Sequence, residues 1–535
     1  MSDAREVAAC MKTSLLPQKA ERFCVCVLSL LCLLVFAFLF YRSFTSSWLN
    51  RELGNEYVYW ERDSLLSNFI FLAIAVAGSA LAVRLFQKRF ARLNRNRLAV
   101  ALSVLSVCIG IYWVQASATA PQADQQFITE QAALFNSGDF SGLQQGGYVG
   151  IYRQQLGIIS ILRVFDWLAP FFHTESWHIF QLFSALSTGL LVYSGFRVVA
   201  RITNKQCEAE LLYLLLAFVC APMYIYDAFV YGESSSTAFV MLAAWMLLEC
   251  LHNPAPRYLI GLYLSIVMAL LLRTNTAIVM IGFAIVMTVK LLRAPGRGRL
   301  CAAVVLLLAV LTPTVLTNAL YGDKIPENSK PMPPMLFVAM GTNDDAINAG
   351  WYNGYNTRKY EYYGFDPQAA TETGKKDFAA FVEKCRANPG YAVDFYNRKI
   401  SSQWNAPMYQ CIVMNNHIVG TQTKLVQSLY EGAGNRYLTG YMNIYQMLIY
   451  GSVLAFVILG WKRRFPLENY LLLIAIFGGF LFSVLWEAKA RYVYPYFLMM
   501  IPYAAVSLAA MTSAFWQYFD KKVARGHRPQ EQSAQ

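Results

Sequence analysis

Charged residues are scarce in this chain. Only 14% of its 535 residues are Asp, Glu, Lys or Arg, whereas 56% are hydrophobic. A soluble domain carries about 25% charged residues, so an ordinary water-soluble globular protein is excluded. Much of the chain must face lipid or other buried helices. Familiar motifs are missing too. There is no P-loop and no dinucleotide fingerprint. The five histidines form no His-Glu-x-x-His pair, which leaves a zinc protease of that class unsupported. None of the 11 cysteines forms a Cys-x-x-Cys pair. Cys26, Cys32, Cys108, Cys220 and Cys301 fall inside apolar runs and read as small hydrophobes. Cys385 and Cys411 lie in a polar segment, where a disulfide between them is left open. Asn-x-Ser/Thr never occurs, which fits a bacterial plasma membrane better than a glycosylated lumenal surface. No tandem repeat or low-complexity tract stands out.

What is present is a series of apolar runs, each close to the length needed to cross a bilayer. They fall near 23–40, 65–83, 98–116, 177–199, 208–226, 235–251, 257–272, 275–292, 300–320, 440–460, 468–486 and 494–515. The first follows Lys12, Lys19 and Arg22 and reads as a retained anchor rather than a cleaved leader. The net charge of +13 sits in short basic clusters between runs. That is the pattern by which membrane proteins orient themselves, and it argues against nucleic acid as the partner. If the apolar stretch 155–172, interrupted by Arg163 and Asp166, lies along the interface, about twelve spans result. Both termini are then cytoplasmic and every basic cluster falls inside.

The expected fold is an all-α polytopic membrane protein with interfacial helices and a small exterior domain of mixed or α structure. Region 1–320 is a transmembrane unit with an exterior loop at 117–152. Region 321–437 is an exterior soluble domain, 438–519 holds the last helices, and 520–535 is a basic cytoplasmic tail.

Polar residues at the exterior membrane edge are the candidates for chemistry. Asp124 can act as a general base or hold a metal; alternatively, it caps the helix that contains Glu130. Beyond the Gly146-Gly147 turn, Tyr152, Arg153 and Gln154 can meet a phosphate or sugar. Equally, that turn is plain surface with Arg153 on lipid headgroups. Asp227 and Glu233 flank a short loop between spans, where Glu233 also suits a first helical turn. Arg273 and Asn275 stand at the same edge, where Arg273 either pairs with an anion or snorkels. Glu487, Lys489 and Arg491, with Tyr492 beside them, interrupt two apolar runs on the side where cations are disfavoured. Holding a lipid phosphate gives them a reason to be there; the alternative is an internal salt bridge to Glu487. Arg398, Lys399, Trp404 and Asn405 suit either sugar stacking or docking on the interface.

This order of parts resembles the multi-pass GT-C glycosyltransferases, especially the bacterial relatives of protein O-mannosyltransferases and aminoarabinose transferases (glycosyltransferase family 39-like). The resemblance rests on Asp124 in an early exterior loop, on the turn Tyr152-Arg153-Gln154-Gln155-Leu156-Gly157, and on Glu487-x-Lys489-x-Arg491-Tyr492 before the final span. It implies a membrane glycosyltransferase that moves a hexosyl or pentosyl unit from a polyprenyl-phosphate carrier to a glycan, lipid or protein acceptor outside the cytoplasm. In that reading Asp124 is the general base, and Lys489 and Arg491 hold the departing phosphate, with Arg153 in the same role. Gln125 stands where the family often has a second acidic residue. The resemblance therefore fixes no cofactor and leaves a divalent metal open. A transporter or flippase for a lipid-linked glycan is the alternative; it calls for discontinuous helices and mid-membrane charge. A structural assembly subunit without activity is the third reading.

Overall fold

The structure, a computed structural model, describes residues 18–344 and 348–526. Lys12 and the tail from residue 527 onward lie outside the described residues. Helices α1 (Gln18–Thr45), α2 (Leu65–Arg92) and α3 (Arg95–Ser117) open the chain. Ser64 caps α2 by accepting from the Ser67 backbone N–H, the placement expected of an N-cap serine. Between α1 and α2 lies an antiparallel hairpin, β1 (Ser46–Leu49) with β2 (Tyr59–Arg62), in which Trp48 faces Trp60.

The next segment holds α4 (Asp124–Asn136) and the single turn α5 (Tyr148–Ile151). The central helices follow: α6 (Leu156–Phe172), α7 (Ser176–Ile202), α8 (Cys207–Phe218), α9 (Ala221–Ile225), α10 (Glu233–His252), α11 (Pro256–Leu272), α12 (Ala277–Arg293) and α13 (Arg297–Tyr321). Segment 321–437 contributes α14 (Pro334–Met340), α15 (Tyr355–Tyr362), α16 (Pro367–Ala387), α17 (Pro389–Trp404) and α18 (Lys424–Tyr430). Proline opens both α16 and α17 behind an Asp366 or Asn388 cap, where its missing N–H costs nothing. The chain closes with α19 (Ala433–Arg463), α20 (Leu471–Leu485) and α21 (Ala490–Gly526).

Among the described residues, 11 helices are long and apolar enough to cross a membrane, or 12 if one bent pair counts as a span. The protein is thus an all-α multi-pass membrane protein. Segments far apart in the sequence are tied by ion pairs. Glu21 of α1 joins Lys290 at 3.2 Å and also meets Arg293, and Lys290 in turn meets Glu468.

Several expectations need correction. The run 208–226 is not one straight helix: α8 and the segment Ala221–Ala228 meet at 53°. Pro222 explains the break: it has no N–H to donate to the Phe218 carbonyl one turn back, which accepts from the Tyr224 hydroxyl at 2.8 Å instead. Asp227 is fully buried rather than at the surface, and accepts from Thr188 Oγ1 at 2.6 Å. The stretch 155–172 forms α6, and with its leading turn, Arg153–Phe172, it is long enough to span; α11, expected to span, is the shorter helix. The charges that interrupt α6 are absorbed by α4: Asn136 accepts from Arg163 and donates to Asp166. Segment 321–437 is helical wherever it is regular. Lys399, Trp404 and Asn405 are buried, and Arg398 pairs with Asp344 and Asp394, so none of the four offers a sugar-stacking or membrane-docking surface. Cys385 and Cys411 are both free.

Candidate functional site

One cavity of about 520 Å³ gathers most of the candidate residues. Asp124, Tyr152, Gln154, Arg273, Asn275, Glu487, Lys489, Arg491 and Tyr492 all line it. They arrive from the start of α4, the turn after α5, the α11–α12 junction and the start of α21.

Asp124 is the first residue of α4, not its cap; the cap position is Ala123, whose side chain bonds nothing. Ala123 adopts φ 49° and ψ −127°, a conformation L-residues rarely take. That turn aims the Asp124 carboxylate at the cavity. The helix dipole favours a negative charge there. Gln125 is buried and clamps the same turn, accepting from the Val230 N–H at 2.8 Å and donating to the Met414 carbonyl at 3.0 Å. The position that lacks a second acid thus holds the first one still.

Three groups converge on the Asp124 carboxylate. Tyr148 donates to Oδ1 at 3.2 Å, Tyr231 donates to Oδ2 at 3.3 Å, and Arg491 Nη2 stands 3.7 Å from Oδ2. Burial raises the pKa of both Tyr148 and Tyr231, as does the Asp124 charge, so both phenols stay protonated donors. Arg273 and Arg491 lie 4.6 and 5.0 Å from the centroid of the Tyr231 ring, close enough for cation–π attraction.

Arg491 is only 3% exposed, yet its Nε and Nη1 have no hydrogen-bond partner among the described residues. A buried guanidinium with idle donors is costly unless something anionic fills them. Its backbone is held by Gln410, whose side-chain oxygen accepts from the Arg491 N–H at 3.1 Å while its amide donates to the Glu56 carbonyl at 2.9 Å.

Lys489 does not pair with Glu487. It reaches Glu56, which sits in the connection between β1 and β2. Burial raises the Glu56 pKa, but Lys489 and Arg491 more than offset this and leave it below the ordinary value. Glu487 accepts instead from Tyr492 at 2.7 Å, and burial raises its pKa. The strand-like link 486–489 is fixed by the Ala488 N–H donating to the Gly350 carbonyl at 2.8 Å and by Trp486 stacked on Phe337.

Besides Asp227 and the Arg398–Asn405 group, Arg153 and Glu233 also lie outside the cavity lining. Arg153 turns away and donates to the Ser329 carbonyl; the 3-10 turn Arg153–Gln155 rotates it off the cavity wall. Glu233 is buried behind the wall, 3.4 Å from Arg273. Sequence reasoning missed Glu56, Tyr148, Tyr231, Gln410 and Tyr352, whose ring centroid lies 4.8 Å from Lys489 Nζ in the cavity wall. A turn at Gly54-Asn55 between aromatic-rich runs was the available sign of the hairpin that carries Glu56. Among the described residues, no group of three or more His, Cys, Asp or Glu residues able to hold a metal ion exists.

Residues 22–361 match a family described as conserved hypothetical integral membrane protein. The chain belongs to that family. The match takes in Glu56, Asp124 and Arg273 and most of the cavity wall, and ends before the segment that supplies Glu487, Lys489 and Arg491. No curated protein matches the chain.

Proposed function

We propose that the protein is a membrane glycosyltransferase, with its cavity at the non-cytoplasmic membrane edge and a polyprenyl-phosphate-linked sugar as donor. The observation that carries this reading is a carboxylate and a buried, under-bonded guanidinium standing 3.7 Å apart in the lining of one cavity. Asp124 takes the proton from an acceptor hydroxyl as its oxygen bonds to the anomeric carbon. The carbon–oxygen bond to the carrier phosphate breaks with inversion, and the phosphate leaves with the electron pair. Arg491, helped by Lys489, receives that charge where it develops. The hydroxyls of Tyr148 and Tyr231 hold the base in position.

The test compares envelope glycans by mass spectrometry in cells with the gene deleted and restored as wild type or Asp124→Asn. Loss of one glycan on deletion, restored by wild type but not by an equally expressed Asp124→Asn, supports the enzyme. Full restoration by the variant removes Asp124 from the mechanism.

A second reading, movement of a lipid-linked glycan without transfer, is favoured by the 53° break between α8 and the segment carrying buried Asp227. It expects Asp227→Asn, rather than Asp124→Asn, to abolish the glycan.

A further inference from the structure

On the other side of the hairpin from the Asp124 cavity is a polar chamber of about 800 Å³, bounded by β1 and residues 50–54, by the segment around Pro407 and by the start of α19. It runs into an apolar groove of about 800 Å³ between α2, α8 and α19, with Phe71, Ile74, Leu215 and Leu448 among its walls. Asp63, Arg436, Gly440 and Asn443 line both. Phe71 and Ile74 are exposed on the outer side of α2, so the groove opens where the lipid would be. We propose that this pair of chambers is a binding site for an amphiphile with an uncharged, hydroxyl-bearing headgroup, its alkyl chain lying in the groove.

Two buried polar groups point to the headgroup. Trp48, 4% exposed, has an indole N–H without a partner among the described residues. Asn443, 8% exposed, donates to Asp63 at 2.8 Å, but its carbonyl oxygen accepts nothing. One orphan is a donor and the other an acceptor. Native interiors rarely leave such groups unmade. Hydroxyl groups satisfy both, because each donates and accepts. The charges in the chamber argue against an anion. Glu52, Glu61, Asp63 and Glu431 outnumber Arg51 and Arg436, and Arg51 is already 3.6 Å from Glu61. The site requires no transfer chemistry and stands apart from the reading of the Asp124 cavity.

The structure supplies its own blocking variants. A Cβ added at Gly440, or at Gly78 in the groove, meets nothing within 4 Å, so larger side chains there extend into empty space. Full-length protein purified in a sugar-free detergent is titrated with monoglucosyl diacylglycerol and, separately, with phosphatidylglycerol, and bound lipid is read by native mass spectrometry. Wild type should favour the glucosyl lipid. Gly440→Phe and Gly78→Phe should each weaken its binding at least tenfold without changing the elution of the protein on gel filtration. Trp48→Phe should lower glucosyl-lipid binding several-fold and leave phosphatidylglycerol unchanged. Equal or better binding of phosphatidylglycerol, blocked by the same variants, would overturn the headgroup assignment. Glucosyl-lipid binding untouched by both glycine variants would overturn the site.

Discussion

Lys489 is paired with Glu56, from a hairpin near the start of the chain, and not with its sequence neighbour Glu487. The pair bridges the wall of the cavity that holds Asp124 and Arg491. Lys489 and Arg491 each meet a carboxylate from a distant segment, Glu56 and Asp124, so the cavity wall is tied together by the same charges that give it its field.

If Asp124 is the base, Asp124→Asn should reduce glycan transfer by about two orders of magnitude or more. Its effect on thermal stability should be small, since the carboxylate is 43% exposed. Initial rates in proteoliposomes and a melting curve of the same preparation check both halves of this expectation.

The Glu56–Lys489 pair should register in a double-mutant cycle. Glu56→Gln strands a lysine that is 7% exposed, and Lys489→Met strands a carboxylate that is 39% exposed. Solvent reaches Glu56, so the expected coupling is about 1 kcal/mol rather than the figure for a fully buried pair. Additive losses in detergent unfolding would mean that the two side chains do not interact.

Arg153 should behave as a structural residue. Arg153→Met removes a charge-assisted hydrogen bond to the Ser329 carbonyl and should cost about 1–3 kcal/mol of stability. If the proposed transfer holds, donor KM should stay at the wild-type value, whereas Arg491→Met should raise KM and lower kcat together.

Lys399 gives a pH signature. Its ammonium is buried, donates to the Gly341 and Val484 carbonyls, and is lowered by burial to about 7. In the unfolded chain a lysine keeps its proton to about 10.4. Between those values the unfolded state binds more protons, so stability rises with pH. Melting temperature should therefore climb from pH 7 to pH 9 more steeply in wild type than in Lys399→Met. Parallel curves would exclude this lysine as the source.

Cys385 and Cys411 should remain unlinked. Mobility on a denaturing gel should be identical with and without reductant, and Cys411, fully buried, should react with a maleimide only after unfolding.

The spans were legible because a run of about twenty apolar residues has few other uses. The break before Pro222 was written in the sequence, but hydropathy does not report direction, so the run passed as one helix. Asp124, Lys489 and Arg491 stood out because charge at a membrane edge is conspicuous. Glu56 did not, because a glutamate in a short polar connection looks like any solvated residue. Tyr148 and Tyr231 were lost among many tyrosines. The outward turn of Arg153 depends on a single 3-10 turn, which no residue pattern specifies.

The hairpin and the final helix have a consequence for biosynthesis. Glu56 and Asp124 emerge from the ribosome early, and their cations arrive only with the last membrane helix, α21. Until that helix is inserted, the carboxylates face a half-built wall, and a chain stalled or cleaved before residue 489 carries acids without counterions. Completion of the cavity thereby waits on residues 486–492, made more than 350 residues after Asp124.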